Sequence, residues 1–122
     1  MLDMRENPLG LNGFAFVEFT GPDVAEMGRQ LEQLGFVAAS HHPQRDIVRY
    51  RQGGIDFLLN RETSGQAATF RAAHGPSANG MAFRVTDAAR AYEIALANGA
   101  RPADAASGAL GEDSYVLSLI HI

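Results

Sequence analysis

The stretch that decides the fold is GFAFVEFTGPDVAEMGRQLEQLGF, residues 13 to 36, because its layout returns in GMAFRVTDAARAYEIALANGA, residues 80 to 100. Each stretch runs in the order glycine, strand, turn, helix, glycine. Gly13 matches Gly80, and the following residues match in register up to the turn. The turn of the second stretch is three residues shorter, so that Gly35 matches Gly99. Such similarity predicts two copies of one supersecondary unit.

In the first copy, a helix is expected to begin near Asp23, whose carboxylate can accept a backbone N–H bond, with Glu26 three residues later. Gly35 follows the helix as a C-terminal cap. Apolar residues recur at steps of three and four, which predicts one helix stripe in the core. This stripe consists of Val24, Met27, Leu31 and Leu34.

The second copy repeats these signals. Thr86 or Asp87 can cap a helix that ends at Asn98-Gly99. One face of that helix is predicted to carry Ala88, Tyr92, Ala95 and Leu96.

Three strands are predicted between the copies, at residues 36 to 43, 47 to 52 and 55 to 60. Gly53-Gly54 forms a tight turn between the last two strands. The first copy is therefore a β-α-β-β-β unit. The next segment is polar and small, which predicts a connector with one short helical turn near Ala67 to Ala73.

The second copy is expected to be incomplete, because only ARPADA and SYVLSLIHI remain for its three further strands. The predicted organisation has five parts. These are an N-terminal segment at 1–12, the first βαβββ unit at 13–60, a connector at 61–79, the second and incomplete βαβββ unit at 80–117, and a non-native tail at 118–122.

The composition is that of a globular domain, with 122 residues, of which 46% are hydrophobic and 20% are charged. A net charge of -4 argues against a nucleic-acid partner, since such binders cluster Lys and Arg against phosphates. The densest basic group is Arg45, Arg49 and Arg51, and its last two members are interpreted as a solvated strand face.

Cellular location is inferred from two features of the sequence. There is no cysteine, so disulfides and thiolate chemistry are excluded. The first residues, MLDMREN, carry acids, and no apolar run approaches the roughly 20 residues that span a bilayer. We interpret the chain as cytoplasmic, with no membrane partner.

The side chains that could carry chemistry are poorly placed for it. His41 and His42 are adjacent and point to opposite faces of a strand, while Glu18 and Asp56 have no histidine at ligand spacing. His74 is assigned to a turn or surface role, and His121 lies in the tail. No nucleophile or phosphate-binding motif is present. The aromatic residues Phe14, Phe16, Phe57 and Phe83 are predicted to be core.

Three strings carry a resemblance to a known family: NPLGLNGFAFVEF (7 to 19), YRQGGIDFLLN (50 to 60) and AAHGPSANGMAFRVTDAARAY (72 to 92). They resemble the amino-terminal domain of the 4-hydroxyphenylpyruvate dioxygenase family, over about residues 6 to 117. The resemblance implies an α+β fold with tandem β-α-β-β-β units of the vicinal oxygen chelate (glyoxalase/dioxygenase-like) type.

The family converts 4-hydroxyphenylpyruvate and dioxygen to homogentisate and carbon dioxide in tyrosine catabolism. It uses Fe(II) held by two histidines and a glutamate of its carboxy-terminal domain. Carried onto this chain, the two histidine positions fall at Gly13 and Gly80, which have no donor atom. The resemblance thus implies an inactive chain with no catalytic, cofactor-binding or metal residues.

The same resemblance implies two kinds of partner, the iron domain of the same polypeptide and further copies in a homo-oligomer. A missing last strand is expected to leave an unpaired edge and an apolar face, with marginal stability or self-association. Two alternatives stay open within the superfamily. One is a stand-alone dimeric protein that binds a small molecule or confers resistance, and the other is a glyoxalase-type isomerase or lyase.

Overall fold

Five strands form one sheet in the computed structural model, which describes residues 6–101 and the backbone of 108–110 and 113–115. The elements in chain order are β1 (Leu11–Thr20), α1 (Val24–Gln33), β2 (Val37–His41), β3 (Ile47–Gln52), β4 (Ile55–Asn60), α2 (Gln66–His74), β5 (Ser77–Val85), α3 (Ala88–Ala97), β6 (Gly108–Leu110) and β7 (Asp113–Tyr115). The sheet has the order β2-β3-β4-β1-β5, and β6 pairs with β7. The chain is therefore a mixed α+β protein.

The chain divides into two compact units. One runs continuously from Phe14 to Phe83, and the other joins the residues before it to those after it. We call them the central unit and the terminal unit. The predicted tail at 118–122, His121 and most of ARPADA lie outside the described residues.

The first copy has the predicted β-α-β-β-β order. β3 and β4 form an antiparallel hairpin around Gly53-Gly54, in which Gln52 pairs with Ile55. β1 runs parallel to β4, with Glu18 opposite Leu58. The predicted bounds of β3 and β4 are confirmed to the residue, because a two-residue turn fixes the hairpin register.

The core of the central unit lies between α1 and the sheet. Phe36, Tyr50 and Leu59 are its buried centre. The Phe57 ring stacks on that of Phe36 at 4.7 Å, measured between ring centroids. The half-buried residues packed against this centre are Phe19, Val24, Met27, Leu31, Val48 and Phe57.

Gly28 explains how α1 comes so close to the sheet. A Cβ at this helical position would lie 2.6 Å from the hydroxyl oxygen of Tyr50 and 3.7 Å from Leu59. Any side chain at position 28 would push the helix away from Tyr50. The glycine therefore sets the spacing between α1 and the core.

Leu34 corrects the predicted helix stripe, because this residue is 67% exposed. It stands at the C-cap of α1, where the helical spacing stops. Val24, Met27 and Leu31 do pack against the core. The stripe is thus confirmed for its first three members and wrong for the fourth.

The predicted aromatic core is also only partly correct. Phe16 is buried and Phe57 packs in the core, whereas Phe14 is 64% and Phe83 is 52% exposed. Their rings contact each other, with centroids 5.1 Å apart. Strand periodicity assigns residues to one of two faces, but it does not say which face another element covers.

The two edge strands of the sheet differ. β2 has five residues, all exposed, and its pairing with β3 shifts register between Ala38 and Ser40. β5 has nine residues and is the strand at the opposite edge. In the connector, the predicted short turn is a full helix, α2, of nine residues.

The terminal unit repeats the helix signals of the first copy. The Asp87 carboxylate accepts a hydrogen bond from the Arg90 N–H, as that of Asp23 does from the Glu26 N–H in the central unit. Gly99 has φ +100°, and Gly35 has φ +101°. The repeat predicted from the sequence therefore extends to both ends of the helix in each copy.

Candidate functional site

One face of the sheet in the central unit carries its polar side chains. Glu18 and Thr20 are two residues apart on β1, so they share a face, and Glu18 lies opposite Leu58 on β4. The same face takes in Arg49 and Asp56 through the β3–β4 register. We call it the Glu18 face, consisting of Glu18, Thr20, Arg49, Asp56 and Asn60.

Arg49 and Asp56 form a bidentate ion pair on this face. The Arg49 Nε and Nη2 atoms donate to the two carboxylate oxygens at 3.1 and 3.0 Å. Their side chains are only 15% and 10% exposed. The predicted solvated strand face is therefore wrong for Arg49, which lies in a paired and largely buried site.

The sequence contains a signal for this pair. The two-residue turn Gly53-Gly54 places Arg51 opposite Asp56 and brings Arg49 one step further along the same face. Arg51 also reaches Asp56, with Nε 3.5 Å from Oδ1. Two arginines on one strand facing one aspartate on the next indicate a cross-strand ion pair.

Glu18 is the centre of a second polar cluster, which sequence spacing does not reveal. Its Oε2 atom accepts from the Nδ2 atoms of Asn79 at 2.6 Å and Asn60 at 3.4 Å. Asn79 also donates to the Gln66 side-chain oxygen at 3.0 Å. These four side chains come from β1, β4, α2 and β5, so only the folded chain brings them together.

The α2 helix is held beside this cluster by Arg71. Its Nη1 atom donates to the Thr20 hydroxyl oxygen at 3.1 Å, and Nη2 donates to the Glu62 carbonyl oxygen. Thr20 in turn donates to the Asn60 carbonyl oxygen. Thr20 and Asn60 are both buried. The connector predicted from composition is thus fixed to the sheet through part-buried hydrogen bonds of Arg71.

Gly13 and Gly80, the two positions singled out from the resemblance, have different surroundings. Gly13 has φ +91°, and a Cβ there would meet no heavy atom of the described residues within 4 Å. A Cβ on Gly80 would lie 3.9 Å from the Cβ of Glu18. Gly80 therefore flanks Glu18, and it leaves space beside that side chain.

The histidines of the described part of the chain make local contacts. His41 Nε2 lies 3.2 Å from Asp46 Oδ1, and His42 Nδ1 accepts the backbone N–H of Arg45. The His74 ring packs against Phe70 with centroids 4.5 Å apart. Among the described residues, no group of three or more His, Cys, Asp or Glu side chains could hold a metal ion.

Asp46 should make the free energy of unfolding depend slightly on pH. Hydrogen bonds from Arg61 and then His41 lower the pKa of its carboxyl group. A lowered folded pKa means that the stabilisation is present above the unfolded value of about 3.9 and is lost as pH falls through the folded value. The Asp46 side chain is 46% exposed, so we expect at most about 1 kcal/mol.

Urea unfolding of the wild type and Asp46→Asn at several pH values measures this dependence. The wild type should be the more stable protein near pH 6 and the two should converge as the carboxyl group protonates. A stability gap that stays constant into acid would contradict the assignment to Asp46.

An exposed apolar patch lies on β1 and β5 of the central unit. Phe14, Met81 and Phe83 are 64%, 60% and 52% exposed. We call these three residues the β5 patch. In the part of the chain that the structure describes, β5 is also an edge strand, and its interior carries no proline or lysine to block pairing. Together these features predict self-association of the chain.

Replacing Phe83 with serine should weaken this association by about tenfold or more, since one buried Phe contributes roughly 1.5–3 kcal/mol. Ile55→Ser is the matched control, because Ile55 is 53% exposed and lies on β4 at the hairpin turn. Sedimentation velocity over a range of concentrations measures both. A wild-type chain that stays monomeric throughout would refute the prediction.

Comparison with known proteins identifies the family to which the chain belongs. A family model described as hydroxyphenylpyruvate dioxygenase, HPPD, N-terminal, matches residues 5–114. The chain belongs to this family. The 4-hydroxyphenylpyruvate dioxygenase of Legionella pneumophila (strain Corby) is 44% identical over 95 residues, covering 78% of this chain and 27% of the relative.

Solved structures agree with the fold of the HPPD amino-terminal domain. A xylose isomerase-like TIM barrel/4-hydroxyphenylpyruvate dioxygenase fusion protein matches 80% of this chain and 16% of its own, with a TM-score of 0.70 and 35% identity. Methylmalonyl-CoA epimerase from Mycobacterium tuberculosis matches 88% of this chain and 75% of its own, with a TM-score of 0.66 and 17% identity. The fold is the vicinal oxygen chelate (glyoxalase-like) fold predicted from the sequence.

The length of the match limits what the family assignment says about chemistry. The chain spans about a quarter of the length of the HPPD relative from Legionella. No helix in the described part of the chain is long and apolar enough to cross a membrane.

Proposed function

We propose that this chain is the non-catalytic amino-terminal part of a 4-hydroxyphenylpyruvate dioxygenase. That enzyme turns 4-hydroxyphenylpyruvate and dioxygen into homogentisate and carbon dioxide in tyrosine catabolism. The observation that carries the proposal is the match of residues 5–114 to the HPPD amino-terminal domain. The Fe(II) belongs to a carboxy-terminal domain, and this chain contributes by packing against that domain.

Two features of the residues support a packing role rather than a chemical one. We align Gly13 and Gly80 of this chain with the positions that metal-binding histidines occupy in the iron domain. Neither glycine has a side chain that could bind a metal. The β5 patch offers apolar surface of the kind that protein interfaces bury. We propose that Phe14, Met81 and Phe83 are part of the contact with the iron domain.

The remaining parts of the proposal concern organisation. We assign residues 13–60 and 80–117 to the two βαβββ units, with 61–79 as connector and 1–12 as an N-terminal segment. We place the enzyme in the cytoplasm as a homo-oligomer. The lack of cysteine in the chain fits a reducing compartment.

A chimera tests the packing role directly. The matched 95 residues of the Legionella dioxygenase would be replaced by the corresponding residues of this chain. We expect Fe(II)-dependent homogentisate formation with kcat/KM within about tenfold of the parent enzyme, a difference of about 1.4 kcal/mol. This chain alone, supplied with Fe(II) and 4-hydroxyphenylpyruvate, should form no homogentisate.

Two variants of the chimera separate packing from general damage. Phe83→Ser should lower the activity or the melting temperature of the chimera, whereas Ile55→Ser should leave both unchanged. A chimera that melts cooperatively and binds iron but forms no homogentisate would overturn the proposal. So would homogentisate formation by this chain alone.

The alternative of a stand-alone dimeric binding protein makes a different prediction for the same preparations. Such a protein would be stabilised by a small ligand, and its Phe83→Ser change would leave the activity of the chimera unaffected.

A further inference from the structure

Within the described residues, the Glu18 carboxylate is a half-buried charge without a cationic partner. It forms no ion pair with any residue in the described range 6–101, and its hydrogen bonds come from the neutral amides of Asn79 and Asn60. Asp56, on the same face, is paired with two arginines. Buried charges are normally paired, because leaving water without a partner costs free energy. Glu18 is the exception on this face.

The orientation of the Asn79 amide adds a second unmet group to this site. Its Nδ2 atom donates both to Glu18 Oε2 and to Gln66 Oε1. Gln66 Nε2 in turn donates to the backbone carbonyl oxygen of Asn79 at 3.2 Å. Rotating the Asn79 amide would turn its oxygen toward two other oxygens, so the network fixes which atom is which. The Asn79 Oδ1 atom is consequently held in a buried position, where no described residue gives it a hydrogen bond.

These two groups define the chemistry of what they can bind. Both the carboxylate and Oδ1 are acceptors, and the cluster of Glu18, Asn60, Gln66 and Asn79 has a formal charge of -1. A cation with N–H donors meets both needs at once. A divalent metal fits poorly, since Ca²⁺ takes six to eight oxygen ligands and Mg²⁺ about six.

The source and the route of the cation also follow from this chain. The 122 residues include no lysine, so the chain contains no side-chain ammonium group of its own. Gly80 is exposed and has no side chain beside Glu18, where a Cβ would come within 3.9 Å. The side of Glu18 next to Gly80 therefore has room for a small group from outside the chain.

We propose that Glu18 and Asn79 form a binding site for a primary ammonium group. The ammonium donates one hydrogen bond to the Glu18 carboxylate and another to Asn79 Oδ1, and it neutralises the unpaired charge. The group is either that of a small free amine or that of a lysine side chain. The proposal does not rest on the proposed function, because Glu18 and Asn79, the two residues that bind, belong neither to the assigned histidine positions nor to the β5 patch. Gly80 supplies only the space beside Glu18.

Thermal unfolding of the whole chain in three chloride salts tests the proposal. Methylammonium supplies N–H donors, tetramethylammonium supplies the same charge without them, and sodium controls for ionic strength at about 0.1 M, where the Debye length is ~10 Å. We expect methylammonium alone to raise Tm, by about 2–4 °C. A separate arm with Nα-acetyl-lysine amide tells whether the site admits a lysine side chain as well as a free amine.

Glu18→Gln is the matched variant, since it keeps an oxygen acceptor for Asn79 while removing the charge. It should abolish the methylammonium effect. If this variant fails to fold, the wild type alone decides by NMR. The Asn79 side-chain NH₂ and Gly80 amide resonances should then shift saturably with methylammonium and not with tetramethylammonium. Equal effects of all three salts on Tm, or unmoved resonances, would overturn the proposal.

Discussion

Replacing Leu59 with alanine should lower the free energy of unfolding by about 2–5 kcal/mol. Leu59 is only 1% exposed and belongs to the buried centre of the core with Phe36 and Tyr50. The truncation removes apolar contacts and leaves a cavity beneath α1, which the packed aromatic rings cannot fill without leaving their positions. Urea denaturation measures the loss as a lower midpoint at an unchanged slope.

Leu34→Ala is the control for this prediction, because it makes the same chemical change at a residue that is 67% exposed. Its effect should stay within about 0.5 kcal/mol. If both variants lost the same stability, the C-terminal end of α1 would have to pack against the core, and the assignment of Leu34 to the surface would be wrong.

Replacing Asp56 with alanine should lower the free energy of unfolding by about 2–3 kcal/mol. The change leaves Arg49, whose side chain is only 15% exposed, without the carboxylate that takes two of its hydrogen bonds. Removing one partner of a buried pair costs more than the pair contributes, since the remaining charge stays desolvated. Arg51, which is 51% exposed, can turn to water and moderates the loss.

The exposed pair Glu26–Arg29 on α1 is the comparison for Asp56. Its side chains are 47% and 61% exposed, so Glu26→Ala should change the free energy of unfolding by no more than about 0.5 kcal/mol. Chemical denaturation of both variants at one ionic strength measures the difference. Equal, small losses would mean that the Arg49 guanidinium finds water once Asp56 is removed.

The local parts of the fold were predictable from the sequence because they depend on neighbours in the chain. Asp23 begins α1 and Asp87 begins α3, each through a bond to the backbone three residues later. The turn at Gly53-Gly54 sets the register of β3 and β4. In each case the residues that form the structure are within a few positions of each other, so spacing alone carries the information.

The candidate site could not be predicted in the same way. Glu18 and Asn79 are 61 positions apart, and their contact depends on β1 and β5 coming together in the sheet. The predicted burial of Phe14 and Phe83 was wrong for a related reason. The pattern of Phe14 and Phe83 identifies strands, but whether a strand face is covered depends on elements elsewhere in the chain.

The irregular pairing of β2 bears on how many copies can join. A strand with a register shift between Ala38 and Ser40 presents its backbone groups out of step, so a neighbouring strand cannot hydrogen-bond along its length. Among the described strands, β5 is then the one sheet edge that suits continuous pairing. A molecule with one sheet edge that can pair with a second copy forms a closed two-fold dimer. A molecule with two such edges can grow into a filament.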